Sequence, residues 1–145
     1  MPRIAPNNDT LLFPLESHLR DFIAKHLPSI SVGNQKLHLF VDDSGSDGVE
    51  YQTEVGRIDI LALNDNDEFV VFELKLSKGA DQSLGQLLRY MGWVNSHLSP
   101  SKPVHGVIVA GDIDSKLKYA ASIVPNVSLF RYEVSFAVEE VSLGN

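Results

Sequence analysis

Gly56-Arg57-Ile58-Asp59-Ile60-Leu61-Ala62-Leu63, the polar run Asn64-Asp65-Asn66-Asp67-Glu68 and then Phe69-Val70-Val71-Phe72-Glu73-Leu74-Lys75-Leu76 form the stretch that decides how this chain folds. The two flanking segments are apolar and rich in β-branched and aromatic residues, the composition of strands. The polar run between them is short enough for a hairpin turn. With Leu63 opposite Phe69, antiparallel pairing counts back to Asp59 opposite Glu73 and Arg57 opposite Lys75. Side chains alternate along a strand, so Glu73 and Lys75 share one face while Val70, Phe72, Leu74 and Leu76 line the other, which is expected to be core.

Directly opposed residues stand roughly 4.5–5.5 Å apart at Cβ, where like charges destabilise a pair unless something positive lies between them. A hard divalent cation is the natural candidate. Magnesium typically takes one or two carboxylates and completes its shell with waters and phosphate oxygens. Asp59 and Glu73 fit as metal ligands, and the metal would polarise a phosphate and acidify a bound water. Lys75, on the same face, fits a role in orienting that water or offsetting charge in the transition state. The plain alternative is a solvated surface hairpin, but each charge is flanked by apolar residues.

Downstream, residues 80–96 read as a helix with an apolar stripe of Leu84, Leu87, Leu88, Met91 and Val94. Gln82, Gln86 and Tyr90 recur every four residues and therefore project from one face. Gln86 can hydrogen-bond a metal water or a phosphate, and Tyr90 can support it or serve as a core residue with its hydroxyl at the edge. Arg57 and Arg89 are the guanidinium groups best placed for bidentate phosphate contacts, or for local ion pairs with site carboxylates.

An Asp closing one strand, Glu-x-Lys in the next and a following Gln-x-x-x-Tyr helix together resemble the PD-(D/E)XK nuclease superfamily in its RecB-like branch. Gly56-Arg57-Ile58-Asp59, Glu73-Leu74-Lys75 and Gln86-Leu87-Leu88-Arg89-Tyr90-Met91-Gly92-Trp93 resemble more closely the C-terminal catalytic domain of the NucS/EndoMS endonucleases. The likeness runs from about Leu11 to Ala110, with a vaguer continuation. It implies an α/β fold with a restriction-endonuclease-like core, a central mixed β-sheet flanked by helices in αβββαβ order. It also implies a metal-dependent endonuclease that hydrolyses DNA phosphodiester bonds, using Mg²⁺ or Mn²⁺. Double-stranded, branched and single-stranded DNA are all candidate substrates, with DNA repair as the setting. In the NucS pattern a glutamate on the first helix approaches the metal, a role that falls here to Glu16; the residues themselves equally allow Glu16 to meet the helix dipole. The alternatives are a nuclease-like module that binds nucleic acid or protein without cutting, and a restriction-type subunit that needs a specificity partner. The likeness is confined to the catalytic half of such enzymes, so mismatch specificity is not expected to carry over.

The composition fits a small enzyme. A chain of 145 residues is about one domain, expected over 1–145 with residues 1–10 loose. With no cysteine, disulfides and thiolate metal sites are excluded. No long apolar run suggests a membrane span or a signal peptide, so the expectation is a cytoplasmic protein. The net charge of −7 argues for weak intrinsic affinity for DNA, because affinity for phosphates comes from Lys and Arg. A homodimer or a separate DNA-recognition subunit would supply what is missing. Much of the negative charge falls in the loop Asp42 to Glu50 and in the hairpin turn, away from the expected catalytic face.

The other elements read as a helix over Leu15–Leu27 with Pro14 at its first position, a strand over 37–41, a strand over 104–110, a short helix over 114–121 and strands over 127–132 and 135–141. The acidic loop at 42–50 has the composition of a calcium loop, yet no helices flank it and a mobile loop is the better reading. His18, His26, His38, His97 and His105 lack zinc-ligand spacing. Trp93 reads as core.

Overall fold

The computed structural model describes residues 3–4, 8–76 and 81–144. The elements run β1 (Arg3–Ile4), α1 (Asn8–Lys25), a 3-10 turn (Leu27–Ser29), β2 (Ser31–Val32), β3 (Gln35–Leu39), β4 (Val49–Thr53), β5 (Gly56–Asn64), β6 (Phe69–Lys75), α2 (Asp81–His97), β7 (His105–Ala110), α3 (Ser115–Ser122), β8 (Val127–Arg131) and β9 (Phe136–Ala137). The main sheet has the order β2-β3-β5-β6-β7-β8, with β4 also paired to β5. The first part of the sheet is antiparallel, whereas β6, β7 and β8 are parallel, joined by crossovers through α2 and α3. This is the mixed sheet expected of a restriction-endonuclease-like core.

The hairpin is built as its residues dictate. Leu63 pairs with Phe69 and Ile60 with Phe72. Buried Asn64 organises the turn: its Oδ1 accepts from the N–H groups of Asn66 and Glu68 at 2.9 and 3.0 Å, and its Nδ2 donates to Glu68. An Asx residue at this position ties the chain back on itself and sets the register of both strands.

Both sheet faces are buried, not one. Val70, Phe72 and Leu74 pack with Leu19, Ile23 and Leu27 at the α1 side, while Phe69 and Val71 pack with Leu84, Leu87, Tyr90, Val94 and Leu117 at the α2–α3 side. A strand enclosed this way reads as a continuous apolar run, and β6 does until Glu73.

Strands β3 and β4 are successive segments along one edge of β5: Leu39 pairs with Ala62, and Val49 with Ile60. The acidic loop is the excursion between them. It is internally bonded, because Asp42 Oδ1 accepts from Ser44 N–H, Ser46 N–H and the Ser44 hydroxyl. Gly48 closes it against β5, where any Cβ would lie 2.0 Å from Leu61 O. That close approach accounts for the glycine, and β4 is a strand that the loop reading had hidden.

Two boundaries differ from expectation. Helix α1 begins at Asn8, so Pro14 lies inside it and not at its first position; Asn8-Asp9-Thr10 supply the residue types favoured at helix starts. The last strand is only Phe136–Ala137, paired with Arg3–Ile4. Of the segment expected to be loose, residues 1, 2 and 5–7 lie outside the described residues, as do residues 77–80 before α2.

Candidate active site

The ladder between β5 and β6 stops at Ile60–Phe72, one step before the two carboxylates. Asp59 Oδ2 instead accepts the Leu74 N–H at 2.8 Å. The sequence places Asp59 opposite Glu73 in register, and the strands part there because the Asp59 side chain takes up the hydrogen bond that the backbone would have used. Alternation also breaks in β5: Ile58 and Leu61, three residues apart, both pack at the α2 side. Glu50, in β4 beside this irregularity, sits in the left-handed region at φ 51°. Local irregularity of this kind re-aims side chains at a sheet edge.

An open cleft of about 650 Å³ lies where the strands part, and it gathers Glu16 from α1, Gln52 from β4, Arg57 and Asp59 from β5, Glu73 and Lys75 from β6, and Gln86 and Tyr90 from α2. Burial raises the Glu73 carboxyl to about 8, helped by the charges of Asp59 and Glu16 and opposed by Lys75. Asp59 is also raised, chiefly by burial and further by Glu16, against the lowering effects of the Leu74 N–H, Arg57 and Arg20. Burial raises both acids, and the charge of Asp59 raises Glu73 further, an arrangement characteristic of functional sites.

The supporting contacts come from three directions. Gln86 Nε2 donates to the Tyr90 hydroxyl at 2.9 Å, and the Tyr90 ring is buried, so Tyr90 serves in the core and in the site at once. Tyr90 leans on the β4–β5 turn, where a Cβ on Gly56 (φ 130°) would lie 2.7 Å from its hydroxyl. Arg20 of α1 pairs with Glu50, and Arg57 lies 3.9 Å from the same Glu50 oxygen. Glu50 itself does not line the cleft; it braces Arg20 and Arg57 beside it, so the charge of the acidic loop stays outside the cleft, as expected.

Sequence reasoning missed Gln52, Glu50 and Arg20. The signal for Glu50 and Gln52 was present in the alternation Val49-Glu50-Tyr51-Gln52-Thr53, whereas Arg20, on α1, left none there. Arg89 is exposed and does not line the cleft. The histidines serve local structure: His26 and His97 meet the carbonyls of Phe22 and Trp93, and His105 pairs with Glu68 at 3.1 Å.

Hard oxygen donors around two buried carboxylates, both raised chiefly by burial, fit a small divalent cation, whose charge would offset theirs. Among the described residues no group of three His, Cys, Asp or Glu side chains stands together as a ready cage.

Residues 15–123 match the family profile described as the Endonuclease NucS C-terminal domain. The chain belongs to this family. Endonuclease NucS of Corynebacterium glutamicum (strain R) is 33% identical over 107 residues, covering 74% of this chain and 41% of that protein. Endonuclease NucS of Bifidobacterium adolescentis is 30% identical over 107 residues, with the same shares. The chain therefore spans about two fifths of the length of these curated relatives. Among solved structures, a repair endonuclease from Pyrococcus abyssi superposes with a TM-score of 0.60 at 17% identity, covering 81% of this chain and 46% of that one. An EndoMS–dsDNA complex superposes with a TM-score of 0.64 at 19% identity, covering 81% and 44%. These likenesses establish the restriction-endonuclease-like fold. The family profile covers Glu16, Asp59, Glu73, Lys75 and Gln86. Among the described residues no helix is long and apolar enough to cross a membrane.

Proposed function

We propose that this domain is a Mg²⁺-dependent deoxyribonuclease, an endonuclease that hydrolyses DNA phosphodiester bonds in the cleft between β5, β6 and α2, with Mn²⁺ also supporting activity. The single observation that carries this reading is the convergence of Asp59, Glu73, Lys75, Gln86 and Glu16 from four elements on one cleft. Asp59 and Glu73 would hold the cation, which supplies polarisation of the phosphate and acidification of a bound water. Asp59 is fixed in place by the Leu74 N–H, so its carboxylate is positioned before any ligand arrives. Lys75 presents a compact positive charge toward the phosphate oxygens as negative charge builds up on them. Gln86, steadied by Tyr90, orients a water or phosphate oxygen, and Glu16 adds a third carboxylate at the rim. Arg57, exposed at the cleft edge, contacts a neighbouring phosphate. Cytoplasmic DNA repair is the setting that this activity suits.

The acidic balance of the chain supports dependence on a second DNA-gripping element, either a homodimer partner or a separate recognition subunit. To test the activity, linear, branched and single-stranded DNA are incubated with the protein and Mg²⁺ or Mn²⁺, beside an EDTA control. Cleavage by the wild type that is lost in Asp59→Ala and Lys75→Ala is expected. Equal products from the wild type and both variants would overturn the proposal.

A further inference from the structure

Beyond the catalytic cleft, a second groove of about 290 Å³ is lined by Ile113, Lys118, Leu129 and Arg131. Its position follows from the sheet. Lys75 is in register with Ala110, and Ala110 with Arg131. Neighbouring strands lie about 4.8 Å apart and residues in register point to the same face, so Arg131 sits roughly 10 Å from Lys75 on the catalytic side. Ala110, buried in the α2–α3 core, is the residue in register between them. Leu129, two residues before Arg131, packs at the α2–α3 side, which confirms the face.

The charges of this groove are uncommitted. Among the described residues, Arg20 and Arg57 are tied to Glu50 and Lys102 to the Asn66 carbonyl, whereas neither Lys118 nor Arg131 makes an ion pair. The nearest acid on the same helix, Asp114, is taken by the Leu117 N–H as a helix cap. In a chain with 19 acidic and 12 basic side chains, Lys118 and Arg131 set two cations around one groove.

We infer that Lys118 and Arg131 form a phosphate-binding subsite for the DNA strand that passes through the catalytic cleft, gripping its backbone beside the bond to be cut. The subsite carries no sequence information; it sets the path and register of the strand. It offsets, on the face where it matters, the repulsion expected from the acidic chain. The inference rests on the nuclease reading for its direction, while the binding itself is measured separately.

The experiment uses the full chain with Lys118→Gln and Arg131→Gln combined, both exposed positions where the change leaves the core untouched. Binding of a fluorescein-labelled 20-nucleotide DNA, single-stranded and duplex, is followed by anisotropy in EDTA from 50 to 200 mM salt. Cleavage of the small diester bis(p-nitrophenyl) phosphate is followed with Mn²⁺. The double variant is expected to bind DNA at least about tenfold more weakly at 50 mM salt and to lower the slope of log affinity against log salt by about 1.4 to 1.8. Hydrolysis of the small diester, which cannot reach the groove, stays unchanged. Unaltered DNA affinity and salt slope in the variant would overturn the subsite while leaving the nuclease reading intact, and so would wild-type protein that binds neither DNA form. Loss of DNA binding without hydrolysis of any diester would sustain the subsite and sink the nuclease reading.

Discussion

The hairpin β5–β6 has charged groups at both ends, and the two ends treat them in opposite ways. At the turn, Glu68 accepts from Asn64 and His105 and its carboxyl is held below the usual range, while Lys102 is bonded to the Asn66 carbonyl. At the open end, burial pushes Glu73 up to about 8 despite the nearby charge of Lys75. One end uses charge to close a turn. The other keeps like charges together at a cost to stability, which a fold maintains only where function requires it.

The largest effect should come from exchanging charge for neutral polarity at each end. Glu73→Gln is expected to lower DNA cleavage by at least about 10²-fold yet raise the melting temperature in metal-free buffer. Glu68→Gln should leave cleavage unchanged and lower the melting temperature. A Glu73→Gln protein that melts lower than wild type would remove the distinction between the ends.

Gly56→Ala tests the wall of the open end. At φ 130° with the Tyr90 hydroxyl 2.7 Å from the added Cβ, the variant should lose about 1–3 kcal/mol by denaturant titration and cleave more slowly through displaced Gln86.

The ends should also answer pH in opposite directions. The folded pKa of Glu73 lies above its ordinary value of 4.5, so its contribution to stability is full below 4.5 and is lost as pH rises toward about 8. The folded pKa of Glu68 lies below the ordinary value, so its contribution is present above 4.5 and is lost as pH falls. Melting curves of metal-free protein between pH 4.5 and 8, repeated with Glu73→Gln, should show the alkaline loss disappear in the variant. The smallest effect belongs to Arg89→Ala: an exposed side chain outside the cleft should change stability by no more than about 0.5 kcal/mol and leave cleavage unaffected.

The turn residues set the register from Leu63 to Phe69, and strict alternation placed Glu73 and Lys75 on one face, so the centre of the site was legible before the fold was. The second helix was equally legible because its apolar stripe and its Gln-x-x-x-Tyr face have the same period. What could not be read was how the ladder ends. Pairing rules continue a hairpin indefinitely, and only the Asp59 carboxylate taking the Leu74 N–H stops it. The edge strand β4 was hidden because the acidic, glycine-rich loop before it carries the composition of a loop, and with it went Gln52, Glu50 and, through an ion pair across elements, Arg20. Such long-range pairs leave no local pattern. The reach of Arg89 was overestimated because helical spacing gives a face only to within a turn.

The central claim is that the unpaired end of the hairpin is a cation site. Crystals soaked in Mn²⁺ and measured for anomalous scattering test it most directly: a peak between Asp59 and Glu73 is the predicted result, and carboxylates turned apart with no peak between them would contradict it.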